Sequence, residues 1–223
     1  YIEYKCNNCN DTYQEIIKNN GDYDNEASTS IYFSDNGISV ENNNGGVLVN
    51  GNQVVISLGG EYDFIGEISE GSVLISLDDS SDAIINLRGF KLSCSTTNPI
   101  FIENANSVDI SAKVDTVNYI YDKRSVSSSD LVGGAIYSKA DLDIKGKGSL
   151  YVYSTYNNGI ASTKDLEIKN LQLEVNAPNN ALKGNDSLTI ESGTIKAISS
   201  TGDALKTENS DVSEKGNQRG IIT

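Results

Sequence analysis

The sequence predicts an all-β chain wound as a single-stranded parallel β-helix, and three observations carry that prediction. Apolar residues alternate with period two, clusters of Asn, Gly and Ser interrupt the alternation, and one pattern recurs every 22–24 residues. In chain order the alternating runs fall at 47–49, 54–58, 73–77 and 84–87, each rich in Val, Ile and Leu. Leu92, Val108 with Ile110, Leu142 with Ile144, Leu150 with Val152, and Leu166 with Ile168 continue the series. It closes with Leu171, Leu173 and Val175, Leu188 with Ile190, and Ile195. Turn-forming residues between them end each strand, since Gly and Asn accept the backbone angles that turns require. One segment, Thr12 to Lys18, hints at a helical face through Tyr13, Ile16 and Ile17.

Four stretches carry the recurring pattern, and aligning Ile136, Ile160, Leu182 and Leu205 gives spacings of 24, 22 and 23. A fainter copy at 100–110 lies 34 residues before the first of these, so an insertion is expected at 113–133. That insertion is polar and carries Tyr119, Tyr121, Lys123 and Arg124. A repeat of this length with two or three short strands can hide its apolar face only by stacking on the next, about 4.8 Å away. Equivalent positions then form columns. Ile136/Ile160/Leu182/Leu205 and Leu142/Leu166/Leu188 are the expected interior columns, and a β-sandwich is the runner-up fold.

Composition excludes several functions. The chain has 26 Asn and 28 Ser but 2 Pro, as the turns of a solenoid would need. Its 17 basic and 31 acidic residues give a net charge of −14, with no histidine. That charge opposes nucleic acid and anionic membrane surfaces, and suits divalent cations. The missing histidine removes the commonest general base and zinc ligand. No apolar run approaches the length of a membrane span. Without a starting Met or a leader, the chain is expected to be a mature piece of a longer secreted protein, extracellular or at the cell surface.

The stretches Gly60-Glu-Tyr-Asp-Phe-Ile-Gly66, Gly134-Ala-Ile-Tyr-Ser-Lys139, Asn158-Gly-Ile-Ala-Ser162, Asn180-Ala-Leu-Lys-Gly184 and Gly202-Asp-Ala-Leu-Lys-Thr-Glu-Asn209 occur in this order. From Ile31 onward they resemble the bacterial carbohydrate-binding domain-containing β-helix family, akin to pectate-lyase-type folds. The resemblance implies right-handed coils and binding of pectic or cellulosic polysaccharide. The family usually carries Asp before the Gly-Ile or Ala-Ile of these coils; here Asn158 and Asn180 stand there, leaving Asp203. The expected domain is 29–223, ending mid-strand at Ile221 and Ile222 with a terminal coil missing. Residues 1–28 would be a cap or linker.

Three constellations could carry chemistry. Asn158, Asn180 and Asp203 form a polar column, with Glu208 nearby and Asp141 and Asp165 in a parallel column. Calcium takes six to eight hard oxygens, and stacked coils could supply them; the other reading of Asn158 and Asn180 is an amide ladder. Tyr137, Ala161, Lys183 and Lys206 follow the interior column and should point outward. Stacked lysines repel unless an anion lies over them, so a uronate carboxylate is one reading and a merely solvated face the other. Tyr151 and Tyr153 flank Val152 and share an outer face, with Tyr156 beyond; they could stack on sugar rings, with Tyr119 and Tyr121 as a lip, or simply pack against the inserted loop.

Cys6 and Cys9 resemble half a zinc site but have no second pair, so a local disulfide is expected; Cys94 should be a buried free thiol. Asn10 and Asn185 stand in glycosylation sequons. The reading is a secreted, non-catalytic polysaccharide-binding β-helix assisted by calcium. The alternatives are a scaffolding module, in tandem with copies of itself or other modules, and a polysaccharide lyase.

Overall fold

Short runs of branched and aromatic residues between Asn/Gly/Ser turns give short strands, and almost nothing else. The computed structural model describes residues 2–5, 12–15, 28–125, 133–214 and 216–223, with no helix among them. β1 (Ile2–Lys5) and β2 (Thr12–Glu15) pair antiparallel. Thr12–Glu15 is therefore extended, as its Thr and Tyr favour, and not the start of a helix; Ile16 and Ile17 lie outside the described residues. β3 (Thr29–Ser34) and β4 (Gly37–Glu41) form one hairpin, and β5 (Val47–Asn50) and β6 (Gln53–Ile56) another.

From β7 (Gly60–Ile68) onward the strand ladders are parallel. The strands are β8 (Ser72–Ser76), β9 (Asp82–Cys94), β10 (Ile100–Asn104), β11 (Ser107–Ala112), β12 (Val117–Asp122), β13 (Gly134–Ser138), β14 (Asp141–Gly146) and β15 (Ser149–Ser154). They continue as β16 (Asn158–Ser162), β17 (Asp165–Lys169), β18 (Leu171–Ala177), β19 (Leu182–Gly184), β20 (Ser187–Ile190), β21 (Gly193–Ser199), β22 (Leu205–Lys206) and β23 (Ile221–Ile222).

Successive strands go to different faces. The first face is an 8-stranded sheet in the order β5-β6-β8-β10-β13-β16-β19-β22. The second face runs β9-β11-β14-β17-β20-β23 and the third β9-β12-β15-β18-β21, both branches of one 13-stranded sheet. β9 serves both branches because it turns at Gly89. Ile65 pairs with Arg88 and Gly66 with Phe90, so Gly89 is the extra residue of a bulge, at φ +73°. Buried Asn118 closes that corner, its Oδ1 accepting the Gly89 and Phe90 N–H groups at 3.0 and 2.9 Å.

The expected interior columns are formed. Ile136 lies beside Ile160, Ile160 beside Leu182 and Leu182 beside Leu205; Leu142, Leu166 and Leu188 align likewise. All but Leu205 are fully buried. Near the β3 end Phe33, Phe64 and Phe90 fill the interior, with ring centroids 4.7–5.4 Å apart.

Two expectations need correction. In the faint copy Val108 meets Leu142 at the expected spacing of 34, but Ile100 meets Ile136, a spacing of 36. The shift is even, so Ile100 still points inward. The stretch 113–133 is also not an inserted loop throughout, because it contains β12, paired to β9 and β15. Two of β12's three inward positions, Asn118 and Asp122, are polar, and that masked the strand's apolar period. Residues 126–132 lie outside the described residues.

Ile144, in the neighbouring inward column Ile110/Ile144/Ile168, tests whether such columns are the core. Ile144→Ala should destabilise by about 2–5 kcal/mol and Ile144→Val by about 0.5–1.5 kcal/mol, read from urea unfolding. Equal losses for the two variants would show that this column does not carry the packing.

Candidate functional site

The outer surface of the first face carries one informative column. Register places Leu48, Val55, Leu74, Phe101, Tyr137, Ala161, Lys183 and Lys206 side by side in successive strands. The Tyr137 ring lies nearly parallel to Phe101, 5.5 Å between centroids and 7° between planes. Its other side faces the position of Ala161, whose single methyl cannot fill a layer between Tyr137 and Lys183. A groove of about 360 Å³ opens there, with Tyr137, Ala161, Lys183, Asn157, Asn179 and Asn185 among its walls. Tyr137, half-buried with Gly133 against its ring, contributes to the groove wall. Burial holds its phenol above the ordinary pKa, so the hydroxyl stays protonated and can donate a hydrogen bond.

The rest of the groove wall is a double amide ladder. Asn180 Nδ2 donates to Asn158 Oδ1 at 2.9 Å, and Asn158 Nδ2 donates to the Gly133 carbonyl at 2.9 Å. Asn180 Oδ1 accepts the Asp203 N–H at 3.1 Å. Beside it, Asn179 Nδ2 donates to Asn157 Oδ1 at 2.9 Å, and Asn157 Nδ2 reaches the same Gly133 carbonyl at 3.0 Å. Of the two readings of Asn158 and Asn180, the structure forms the ladder. Their side-chain oxygens accept hydrogen bonds within the ladder and from the Asp203 N–H.

The stacked lysines find their counter-charges within the chain. Lys183 Nζ lies 2.6 Å from Glu208 Oε2, and Lys206 Nζ lies 3.0 Å from Asp203 Oδ2. The acids expected to hold calcium instead neutralise the lysines expected to hold a uronate. Each of these carboxylates is turned to an ammonium group and each amide to its neighbour. Among the described residues no three Asp, Glu, His or Cys groups are placed to hold a metal ion. Asp203 also raises the Lys206 pKa, by hydrogen bond first and then by charge.

The tyrosines of the third face form a ladder of their own. Tyr119 pairs in register with Tyr151, and Tyr121 with Tyr153. Ring centroids are 5.1 and 5.4 Å apart at 18° and 12°. Near-parallel rings this close must overlap, so one face of Tyr151 and one of Tyr153 are covered. Tyr119 and Tyr121 are thus no lip above a surface but the preceding layer of the same sheet. Behind them Arg124 donates twice to buried Asp122, at 2.8 and 2.6 Å, and lies 4.1 Å over the Tyr156 ring. Cys94 is a buried free thiol, as expected. Cys6, Cys9 and Asn10 lie outside the described residues, and Asn185 stands in the groove wall.

Three comparisons bear on what such a groove does. The profile of the family described as "Carbohydrate-binding domain-containing protein" matches residues 50–222. This chain belongs to that family. It is 31% identical over 156 residues to a carbohydrate-binding domain-containing protein of Acetivibrio thermocellus, an alignment covering 68% of this chain and 54% of that protein. The chain thus spans about half the length of that relative. A solved structure, the gadolinium derivative of a polysaccharide lyase-like protein from C. thermocellum, superposes with a TM-score of 0.80 at 30% identity. It covers 88% of this chain and 79% of its own. The family match, residues 50–222, takes in both the amide ladder and the groove.

A second polar column lies on the outer surface of the second face, where Asp109, Asp143 and Glu167 align. Lys145 is bonded to Asp109 and Lys169 to Glu167, leaving Asp143 between two carboxylates. Burial first, then the charges of Asp109 and Glu167, push Asp143 up to about 6. A raised carboxyl pKa means that ionised Asp143 disfavours the fold. Its contribution is fully present below the unfolded value near 4 and is lost as pH rises through about 6. Asp143→Asn should therefore raise the thermal midpoint at pH 8 and change it much less at pH 4. Equal shifts at both values would show that Asp143 titrates normally.

Proposed function

We propose that this chain is a non-catalytic polysaccharide-binding module, wound as a right-handed parallel β-helix, that seats a sugar ring in the groove beside Tyr137. The observation that carries this reading is that groove itself. Its aromatic member, Tyr137, is stacked on Phe101, and the cleft it lines is walled by amides. Sugars have an apolar C–H face and a rim of hydroxyls, which suit an aromatic floor and amide walls respectively. The outer column runs on from Tyr137 through Phe101, Leu74 and Val55 at about 4.8 Å per layer, close to the length of one sugar unit in an extended β-linked chain. A polymer can therefore lie across the strands with one residue in the cleft.

Charge favours a neutral ligand here. Glu208 and Asp203 cancel the two lysines of this column, and the chain as a whole carries −14. A cellulosic glucan fits better than a polyuronate. The ion pairs also argue against lyase chemistry, which needs a lysine able to accept a proton. The module is placed outside the cell, where such polymers are met.

Titration of cello-oligosaccharides by calorimetry tests the reading. Tyr137→Ala should weaken binding about tenfold, the upper range for one aromatic stacking contact. Ala161→Leu, which keeps the tyrosine and fills the gap, should weaken it at least as much. Undiminished binding by both variants would remove the groove as the site, and unsaturated products would remove the non-catalytic reading.

A further inference from the structure

The polar column of the second face also brings together the parts of a covalent reaction. Asp109 on β11 and Asp143 on β14 are register neighbours, and Lys145 follows two residues after Asp143. Residues two apart in a strand share a face, so Lys145 stands on the same outer surface and can turn back toward the preceding coil. Its Nζ is in contact with Asp109 Oδ2. On the far side of Asp109 the register places Ile84, which offers no polar group.

The pair is set apart from the others. Lys145 and Asp109 are each less than one-third exposed, at 31% and 21%. Among the described residues no other lysine–carboxylate pair across two strands has both partners so covered. Lys169 and Glu167 come close, but they lie on one strand, where a bond would join nothing. Asp143 completes the group. It is hydrogen-bonded to Asp109, and burial, then the charges of Asp109 and Glu167, keep it in the acid form further up the pH range than a free carboxyl. An amine, a carboxyl in contact with it and a second carboxyl able to give and take a proton are what amide formation requires.

We propose that Lys145 and Asp109 join in an isopeptide bond that ties two successive coils together, with Asp143 as its catalytic acid. Through their contact the Lys145 ammonium passes one proton to the Asp109 carboxylate. The freed amine attacks Asp109 Cγ and forms the C–N bond. Asp143 gives its proton to the departing oxygen, the C–O bond breaks, and water leaves. Asp143 then recovers a proton from the new amide nitrogen. In sum, one ammonium and one carboxylate become one amide and one water, with no oxidant and no change in net charge. The bond links positions 36 residues apart and restrains the unfolded chain as a disulfide over the same span does.

Mass spectrometry of the whole chain, incubated folded and then denatured, tests the proposal. The wild type should be lighter than its sequence by one water, and a digest should yield one branched peptide joining Asp109 to Lys145. Lys145→Arg keeps the ion pair but cannot form the amide, and should show the full sequence mass. Asp143→Ala should slow the linkage about a hundredfold or more, the usual contribution of a general acid; Asp143→Asn, which keeps the shape of the side chain, should do the same. Circular dichroism checks that each variant is folded. A folded wild type that keeps its full mass overturns the bond, as does a loss of water that maps elsewhere. Linkage at the wild-type rate in both Asp143 variants overturns the role of that acid. The pH-dependent effect of Asp143→Asn on the thermal midpoint is that of the unlinked chain, and is read on the Lys145→Arg background.

Discussion

In-register parallel stacking is the constraint on which the rest of the molecule depends. Once Ile136, Ile160, Leu182 and Leu205 are neighbours, every residue between them is also set beside its equivalent one repeat away. The layer spacing of about 4.8 Å is then imposed on side chains of every kind. Aliphatic residues satisfy it by packing, and the core is their sum. Other side chains must satisfy it in other ways, and the surface chemistry of the molecule is the record of how they do so.

Amides are self-complementary, since each offers a donor to one side and an acceptor to the other. Asn157 with Asn179 and Asn158 with Asn180 therefore stack without help, and Asn157, Asn158 and Asn180 stay buried. Like charges cannot. Lys183 and Lys206 stand one layer apart only because Glu208 and Asp203 reach in from outside the column. Asp109, Asp143 and Glu167 have two lysines for three carboxylates, and Asp143, set between the other two, bears the cost as a raised pKa. One geometric rule thus yields a stable ladder, a neutralised column and a titrating one.

What the sequence could disclose follows the same division. The aliphatic columns were legible because stacking demands like beside like, and the spacings of 24, 22 and 23 hold in the structure. β12 was hidden because Asn118 and Asp122 occupy inward positions and spend their polarity on a corner and on Arg124. Tyr137 and Lys183 were legible as outward residues. That Phe101 would back Tyr137 was not, because the copies align at 36 on one strand and 34 on the next. Nor could the periodicity reveal that Lys183 is neutralised, since Glu208 belongs to an irregular segment after β22 whose path no repeat sets.

Stacking also explains why sites arise where they do. An aromatic in a column is normally covered on both sides, as Tyr151 is by Tyr119 on one side and Glu174 on the other. Each ring then shows only its edge to solvent and offers no platform. A neighbour of one or two side-chain heavy atoms breaks that run of bulk. Ala161 stands beside Tyr137 and Ser93 beside Tyr121, and a concavity lies at each place. The recognition surfaces are therefore defined by the small residues as much as by the aromatic ones. In a fold where bulk is repeated from layer to layer, a binding site is written as an interruption of the repeat.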